Sequence, residues 1–548
     1  MLIKLLFVIK LYLLKNTLKV LFFTVISLVL ANCARTSRPD GGPRDEAAPL
    51  MVTATPPYEN INFEASKIKL SFNEFIKLKN LNKQLVISPP MKYPPLITPQ
   101  GFASKYLEIE IVDTLIKNTT YIFNFGNAIE DNNESNPLER FKYVFSTGNY
   151  IDSLKSKGTV KDVLVNKPNR DFNVLLYKID SAFTDSLVYR EKPNYVTTTT
   201  DSIHFNFSNL KNGNYLMVAL QETTNDYLFD PKTDQIGFYT DTIQLPRDSI
   251  LQNDIVVFKE TQPFKFGRAK ELKKGQLIFP FYGKKEDLKV TLLSDTPQDF
   301  KSIAKFEQEK DTLNYWFTPF EADSLNFIIS NATLKDTVTV KLRKKKLDSL
   351  SITGTSGIIH FRDTFFIRTN NPVIDIDTTK IAIMNKDSLA VGFKSIIDER
   401  ENKLAIVFEK DPVQLYRISI LPEAISDIYA FKNDSLAYQV RTQEIEDYGR
   451  ITLKVENPAS KNYIIELLDS KLELVQRNFV QKTTTIVYDL LIPKAYTVRA
   501  IEDWNQNNVW DTGNYLEKRL PEKIIYFKDE DLSVRPNYYL NPVFKVNQ

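Results

Sequence analysis

Residues 500–515 read AIEDWNQNNVWDTGNY, and Asp503, Asn505, Asn507, Val509 and Asp511 fall on every second position of that stretch. Calcium takes six to eight hard oxygen ligands, and carboxylate, amide and carbonyl oxygens at this interval can turn toward one point from a single loop. In such a loop Asp503, Asn505, Asn507 and Asp511 supply side-chain oxygens and Val509 its backbone carbonyl. Asn508 stands where glycine ordinarily makes the sharp bend, and asparagine accepts the left-handed conformation better than most residues. With two carboxylates in the frame, the expected affinity for Ca2+ is weak, roughly 0.1–1 mM. The alternative is a polar corner whose Asp and Asn side chains accept from turn amides. A weaker counterpart, Glu222, Thr224, Asp226 and Asp230, lies earlier in the chain. Trp504 and Trp510 read as aromatic plugs at the end of a sheet or, alternatively, as platforms for sugar rings.

Other chemistry is sparse. The chain has 2 histidines, His204 and His360, each inside a strand-like stretch, and His204 falls on the polar phase of its alternation. There is no phosphate-cradling glycine loop, no H-E-x-x-H and no G-x-S-x-G. The reading is a non-enzyme, with no small-molecule substrate expected. Two alternatives stay open: a glycan-binding or adhesive protein using Tyr227, Phe229, Trp504 and Trp510, and a glycoside hydrolase-type enzyme with paired carboxylates.

The N-terminus bears on the compartment. Lys15 and Lys19 precede an apolar run, Leu21 to Leu30, followed by Ala31, Asn32 and Cys33. That run is too short for a permanent membrane helix and has the layout of a secretory signal. Cys33 is the 1 cysteine of the chain, so no intramolecular disulfide forms. LVLANC resembles a bacterial lipobox, which implies cleavage after residue 32 and diacylation of the Cys33 sulfur. The net charge of +3 falls to −1 when Lys4, Lys10, Lys15 and Lys19 leave with the signal. Near-neutrality offers no electrostatic case for nucleic acid as a partner.

Residues 33–49 carry Pro and Gly with few apolar side chains and are expected to form a flexible stalk. Beyond them, period-two alternation dominates, as in KIKLSF (67–72), YLEIEIV (106–112) and DTVTVKL (336–342). Roughly one hundred residues per domain predicts about five domains, all-β, a tandem array of antiparallel sandwiches. Repeats place the boundaries. YIFNFGNAIED (121–131) returns as YRISILPEAISD (416–427), and YLMVALQETTNDYLFD (215–230) aligns without a gap to YTVRAIEDWNQNNVWD (496–511). Glycine-led strands follow the first motif each time, at Gly158 and Gly449. A period this long marks duplicated domains, not a solenoid. The expected order is A (50–148), B (149–257), C (258–348), A′ (349–446) and B′ (447–548), strung as a rod or gentle curve. The turn at Glu134–Pro137 and the loop after Asp427 are the expected docking loops, because loops at sandwich ends commonly bind.

CARTSRPDGGPRD followed by LSFNEFI, ISPP, NTTYIFNFGNAIEDNNESNP and YVFSTG resembles the Ig-like-domain lipoproteins of Bacteroidota, whose first module is similar to the Ig-like domain of S-layer proteins. The B modules resemble transthyretin-like or carboxypeptidase-regulatory-like sandwiches. The resemblance implies an outer-membrane lipoprotein, on the outer face, anchored by acylated Cys33 and acting with other outer-membrane proteins around assembly machinery.

Overall fold

The computed structural model describes residues 45–165, 171–199, 203–248, 252–283, 288–306, 311–331, 334–343, 346–528 and 531–546. Cys33, the signal run and the stalk up to residue 44 lie outside the described residues. Strands make up nearly all the regular structure, and the α-helix among the described residues is a single turn, Leu81–Gln84. No helix of the described residues is long and apolar enough to cross a membrane.

Alternation becomes packing in the way the sequence leads one to expect. In Lys67–Leu78, Ile68, Leu70 and Phe72 point inward and are at most 4% exposed, while Lys67 and Lys69 face solvent. Burying each such apolar side chain contributes about 1.5–3 kcal/mol. Two sheets enclose this first core: one runs from Met51–Thr55 through Lys67–Leu78 and Ser104–Glu110 to Leu96–Thr98, the other contains Val86–Ser88, Thr120–Gly126 and Phe141–Ser146.

The aligned repeats share topology as well as sequence. Between residues 154 and 257 one sheet is ordered Tyr195–Thr198, Asn173–Lys178, Gly213–Gln221, Gln235–Phe238. Its counterpart is ordered Leu474–Val480, Tyr463–Leu468, Thr497–Glu502, Ile524–Tyr526. The sandwiches are not purely antiparallel, because Gln252–Val257 runs parallel to Leu154–Asp162 and Val543–Lys545 runs parallel to Gly449–Glu456. Signature tyrosines hold the same posts in both copies. The hydroxyls of Tyr215 and Tyr496 donate to the carbonyls of Lys211 (3.1 Å) and Ile492 (2.8 Å), each four residues back. Those of Tyr121 and Tyr416 accept from the amides of Ile116 (2.9 Å) and Asp411 (2.7 Å), each five residues back. Asp131 and Asp427, which end the other repeated motif, turn inward and accept from the amides of the turn that follows.

Three expectations change. The last of the stalk is docked, because the Asn136 side-chain amide donates to the carbonyls of Asp45 (2.8 Å) and Ala47 (3.1 Å). Both expected docking loops are therefore engaged within the chain: Glu134–Pro137 holds the stalk, and Tyr429, just past Asp427, donates its hydroxyl to the Gly275 carbonyl at 2.8 Å. The rod also closes on itself. Thr512 donates to the Lys259 carbonyl at 2.6 Å, and Tyr526 to the Leu164 carbonyl at 2.5 Å, across 253 and 362 residues of sequence.

Candidate functional site

The loop that follows Glu502 is organised by carboxylates. Asp503, 4% exposed, accepts from the amides of Asn507 (Oδ1, 3.2 Å) and Asn508 (Oδ2, 3.0 Å). The amides of Val509 and Asn507 donate to the side-chain oxygens of Asn507 and Asn505. The Nδ2 groups of both asparagines converge on Asp511 Oδ2, at 2.7 and 2.6 Å. Gln506 and Asn508 sit at φ 59° and 63°, the left-handed region anticipated for Asn508.

This geometry is the polar corner. As folded, the side-chain oxygens of Asp503, Asn505 and Asn507 accept from amides of the loop, and both asparagine Nδ2 groups face Asp511. Among the described residues, no group of three or more His, Cys, Asp or Glu side chains is arranged to hold a metal ion.

The earlier loop repeats the design. Glu222 Oε2 accepts from the amides of Asp226 (3.0 Å) and Tyr227 (3.2 Å), four and five residues on, as Asp503 does. Asn225 and Tyr227 are left-handed at φ 58° and 63°, the positions equivalent to Gln506 and Asn508. Thr224 donates to Glu222, whereas Asp226 and Asp230 accept from the amides of Leu228 and Lys232, so the four residues do not share a focus. Burial raises the Glu222 carboxyl above its ordinary range.

We expect Asp503→Ala to cost about 1–3 kcal/mol, the loss of a buried charged acceptor with its amides left unpaired. Glu222→Ala should cost less, since its loop is more open to water. Chemical denaturation of both variants, followed by tryptophan fluorescence and circular dichroism, measures the difference.

Glu522 completes the corner and has no signal in the local spacing. It is 2% exposed and accepts from the amides of Trp504 (Oε1) and Asp511 (Oε2), each at 3.0 Å. Burial raises its carboxyl above the usual range, and the charges of Asp503 and Asp511 add to the effect. Trp510 is half-buried and donates its indole N–H to the Glu522 carbonyl at 3.2 Å, while Trp504 is 54% exposed. Tyr227 and Phe229 are buried, which removes them from any set of exposed aromatics.

The two histidines have structural surroundings. His204 is exposed. His360 Nδ1 accepts from the Arg362 amide and Nε2 lies 2.8 Å from the Leu490 carbonyl, which makes Nε2 the protonated nitrogen of a neutral ring. With the Arg362–Asp489 ion pair at 2.5 Å, that bond joins two successive sandwiches.

The first sandwich, with its docked stalk end and its helical turn, is similar to a known domain family. Residues 45–147 match the bacterial Ig-like domain. This Ig-like domain touches the next sandwich through Ser88 Oγ, which accepts from the Val196 amide at 3.1 Å, and through Lys192 Nζ on the Met91 carbonyl at 2.7 Å. No curated protein matches the chain. Among solved structures, the chain is similar to domains 1-6 of the surface layer protein SbsC at 10% identity, covering 88% of this chain and 67% of that one with a TM-score of 0.14. It is also similar to BcpA, the major pilin subunit of Bacillus cereus, at 10% identity, with 71% and 99% of the two chains covered and a TM-score of 0.14. The I9-I11 tandem from titin is covered in full, against 52% of this chain, at 9% identity and a TM-score of 0.12. At such scores these likenesses carry no argument about function.

Proposed function

We propose that the chain is a non-catalytic scaffold lipoprotein of the outer membrane, anchored by acylated Cys33 on the outer face, and an accessory subunit of an envelope protein complex such as outer-membrane protein assembly machinery. The observation that carries this reading is the placement of the Ig-like domain, whose match begins at residue 45, close behind the lipobox-like cysteine. An acyl chain contributes about 0.8 kcal/mol per buried methylene. Holding the chain at the bilayer raises its effective concentration toward membrane partners, so that shape and position do the work. Affinity purification of the detergent-extracted protein with mass spectrometry tests it. Reproducible recovery of an outer-membrane β-barrel protein is the expected result, and recovery of the chain alone overturns the scaffold reading. Cys33→Ser tests the anchor separately, with transfer from the membrane to the soluble fraction expected.

A second reading, glycan binding, draws on the exposure of Trp504 beside a polar corner. It requires polysaccharide retention that Trp504→Ala abolishes, and no retention by the unaltered chain removes it.

A further inference from the structure

The gapless alignment of the two repeats stops at Asp511, and there the copies diverge in length. The loop between Gly213–Gln221 and Gln235–Phe238 comprises residues 222–234, whereas that between Thr497–Glu502 and Ile524–Tyr526 comprises residues 503–523, eight residues longer. The extra length forms a small braced hairpin. Asn514 and Arg519 exchange backbone hydrogen bonds at 2.8 and 3.0 Å, and Arg519 Nη1 donates to the Thr512 carbonyl at 2.8 Å.

The hairpin reaches the sandwich of residues 154–257. Tyr515 is fully buried, with its ring 5.6 Å from that of Phe238 and 6.2 Å from that of Tyr189. Phe229 and Phe258 belong to the same apolar cluster. The Tyr515 amide donates to Glu260 Oε1 at 2.6 Å, and the Tyr515 hydroxyl to the Asp185 carbonyl at 3.2 Å. Lys518 lies 4.1 Å over the Tyr515 ring and pairs with Asp185 at 2.6 Å. Gly513 permits the approach, since a Cβ there would fall 2.5 Å from the Phe258 ring.

We propose that residues 512–519 are a strap. Seated, it closes the four sandwiches from residue 154 to the C-terminus into a circuit, and with Tyr515 out of its socket the same modules form an open string. Each sandwich has a hydrophobic cluster of its own, so opening exposes Tyr515, its socket and the apolar edges of Trp510 and Ile524 and leaves those clusters closed. Motion between such modules is the default unless a large apolar interface prevents it, and beyond the Tyr515 ring this interface adds the half-buried Trp510 and Ile524, one ion pair and a few hydrogen bonds, Tyr526 to Leu164 among them.

Zero-length carbodiimide cross-linking of the full chain, read by mass spectrometry, should join Asp185 to Lys518. X-ray scattering should show a longer maximum dimension for Tyr515→Ala than for the unaltered chain. Lys518→Glu, which sets a carboxylate against Asp185 at a partly exposed position, should lengthen the particle in the same direction while circular dichroism stays unchanged. An unaltered chain that lacks the cross-link, or that is already as long as a folded Lys518→Glu variant, overturns the strap.

Discussion

Replacing Glu466 by alanine is expected to destabilise the C-terminal sandwich by about 3–5 kcal/mol, the cost of removing one partner from a buried charge network. Glu466 is 2% exposed and lies between two arginines: Oε1 accepts from Arg477 Nε (2.9 Å) and Nη2 (2.7 Å), and Oε2 from Arg499 Nε (2.7 Å). Without the carboxylate, Arg499, with a side chain 17% exposed, keeps its charge in a poorly hydrated place. The duplication supplies the control. Ile465 faces Ala500 as Val174 faces Ala219, so Glu466, Arg477 and Arg499 occupy the places of Leu175, Val196 and Val218. The triple variant Glu466→Leu, Arg477→Val, Arg499→Val should stay within about 2 kcal/mol of the unaltered chain, because a packed apolar row often matches or exceeds a buried ion network. Urea denaturation of both variants decides. Equal losses in the two would show that these charges do more than neutralise one another.

Gly158→Ala should be the most damaging glycine-to-alanine change among the described residues. The strand Leu154–Asp162 lies between an antiparallel neighbour and the parallel strand Gln252–Val257, and a Cβ on Gly158 would stand 1.7 Å from the Asn253 carbonyl oxygen and 2.7 Å from the Phe205 ring. A backbone oxygen inside a sheet cannot rotate away, so the ladder must open. Overpacking ordinarily costs about 1–3 kcal/mol, and a clash with backbone belongs at or beyond the upper end. Gly392→Ala, with nothing within 4 Å and no left-handed φ, should change stability by less than about 0.5 kcal/mol. Thermal melts of both variants test the contrast, and equal melting temperatures would contradict the packing described.

Both predictions fall on features that the sequence displays without explaining. The sequence shows Gly158 and Gly449 as glycines leading a repeated strand, but Gly158 lies inside Leu154–Asp162, against the Asn253 carbonyl of the parallel strand, and Gly449 opens Gly449–Glu456 against Val534 and the Arg535 carbonyl. Glu466 sits in the run YIIELL, and strict alternation would send one face of that strand to water. All six residues from Tyr463 to Leu468 are buried, because this central strand is packed on both faces, although its edge neighbour leaves Phe479 exposed on the outer one. Tyr227 and Phe229 are buried for a related reason, since their loop folds back over its own sheet.

The candidate loop was legible in part. The alignment of Glu222 with Asp503 is reproduced in hydrogen bonds to the amides four and five residues on, and in left-handed backbone at matching positions. Oxygen-rich spacing alone could not separate a ligand set from a turn, since the same oxygens serve either cations or backbone donors. Side-chain orientation is a property of the folded loop, where the asparagine amides face Asp511.

Alternation, turn residues and an internal duplication by themselves determined that this chain is a series of β-sandwiches with two related pairs, because side-chain period and turn chemistry act over a few residues. Closure was decided by tertiary structure alone. Whether Tyr515 enters the socket around Phe238 depends on how the intervening sandwiches turn the chain back, and the contacts that join residue 185 to residues 515 and 518 span 330 and 333 positions. No local pattern encodes a meeting at that distance.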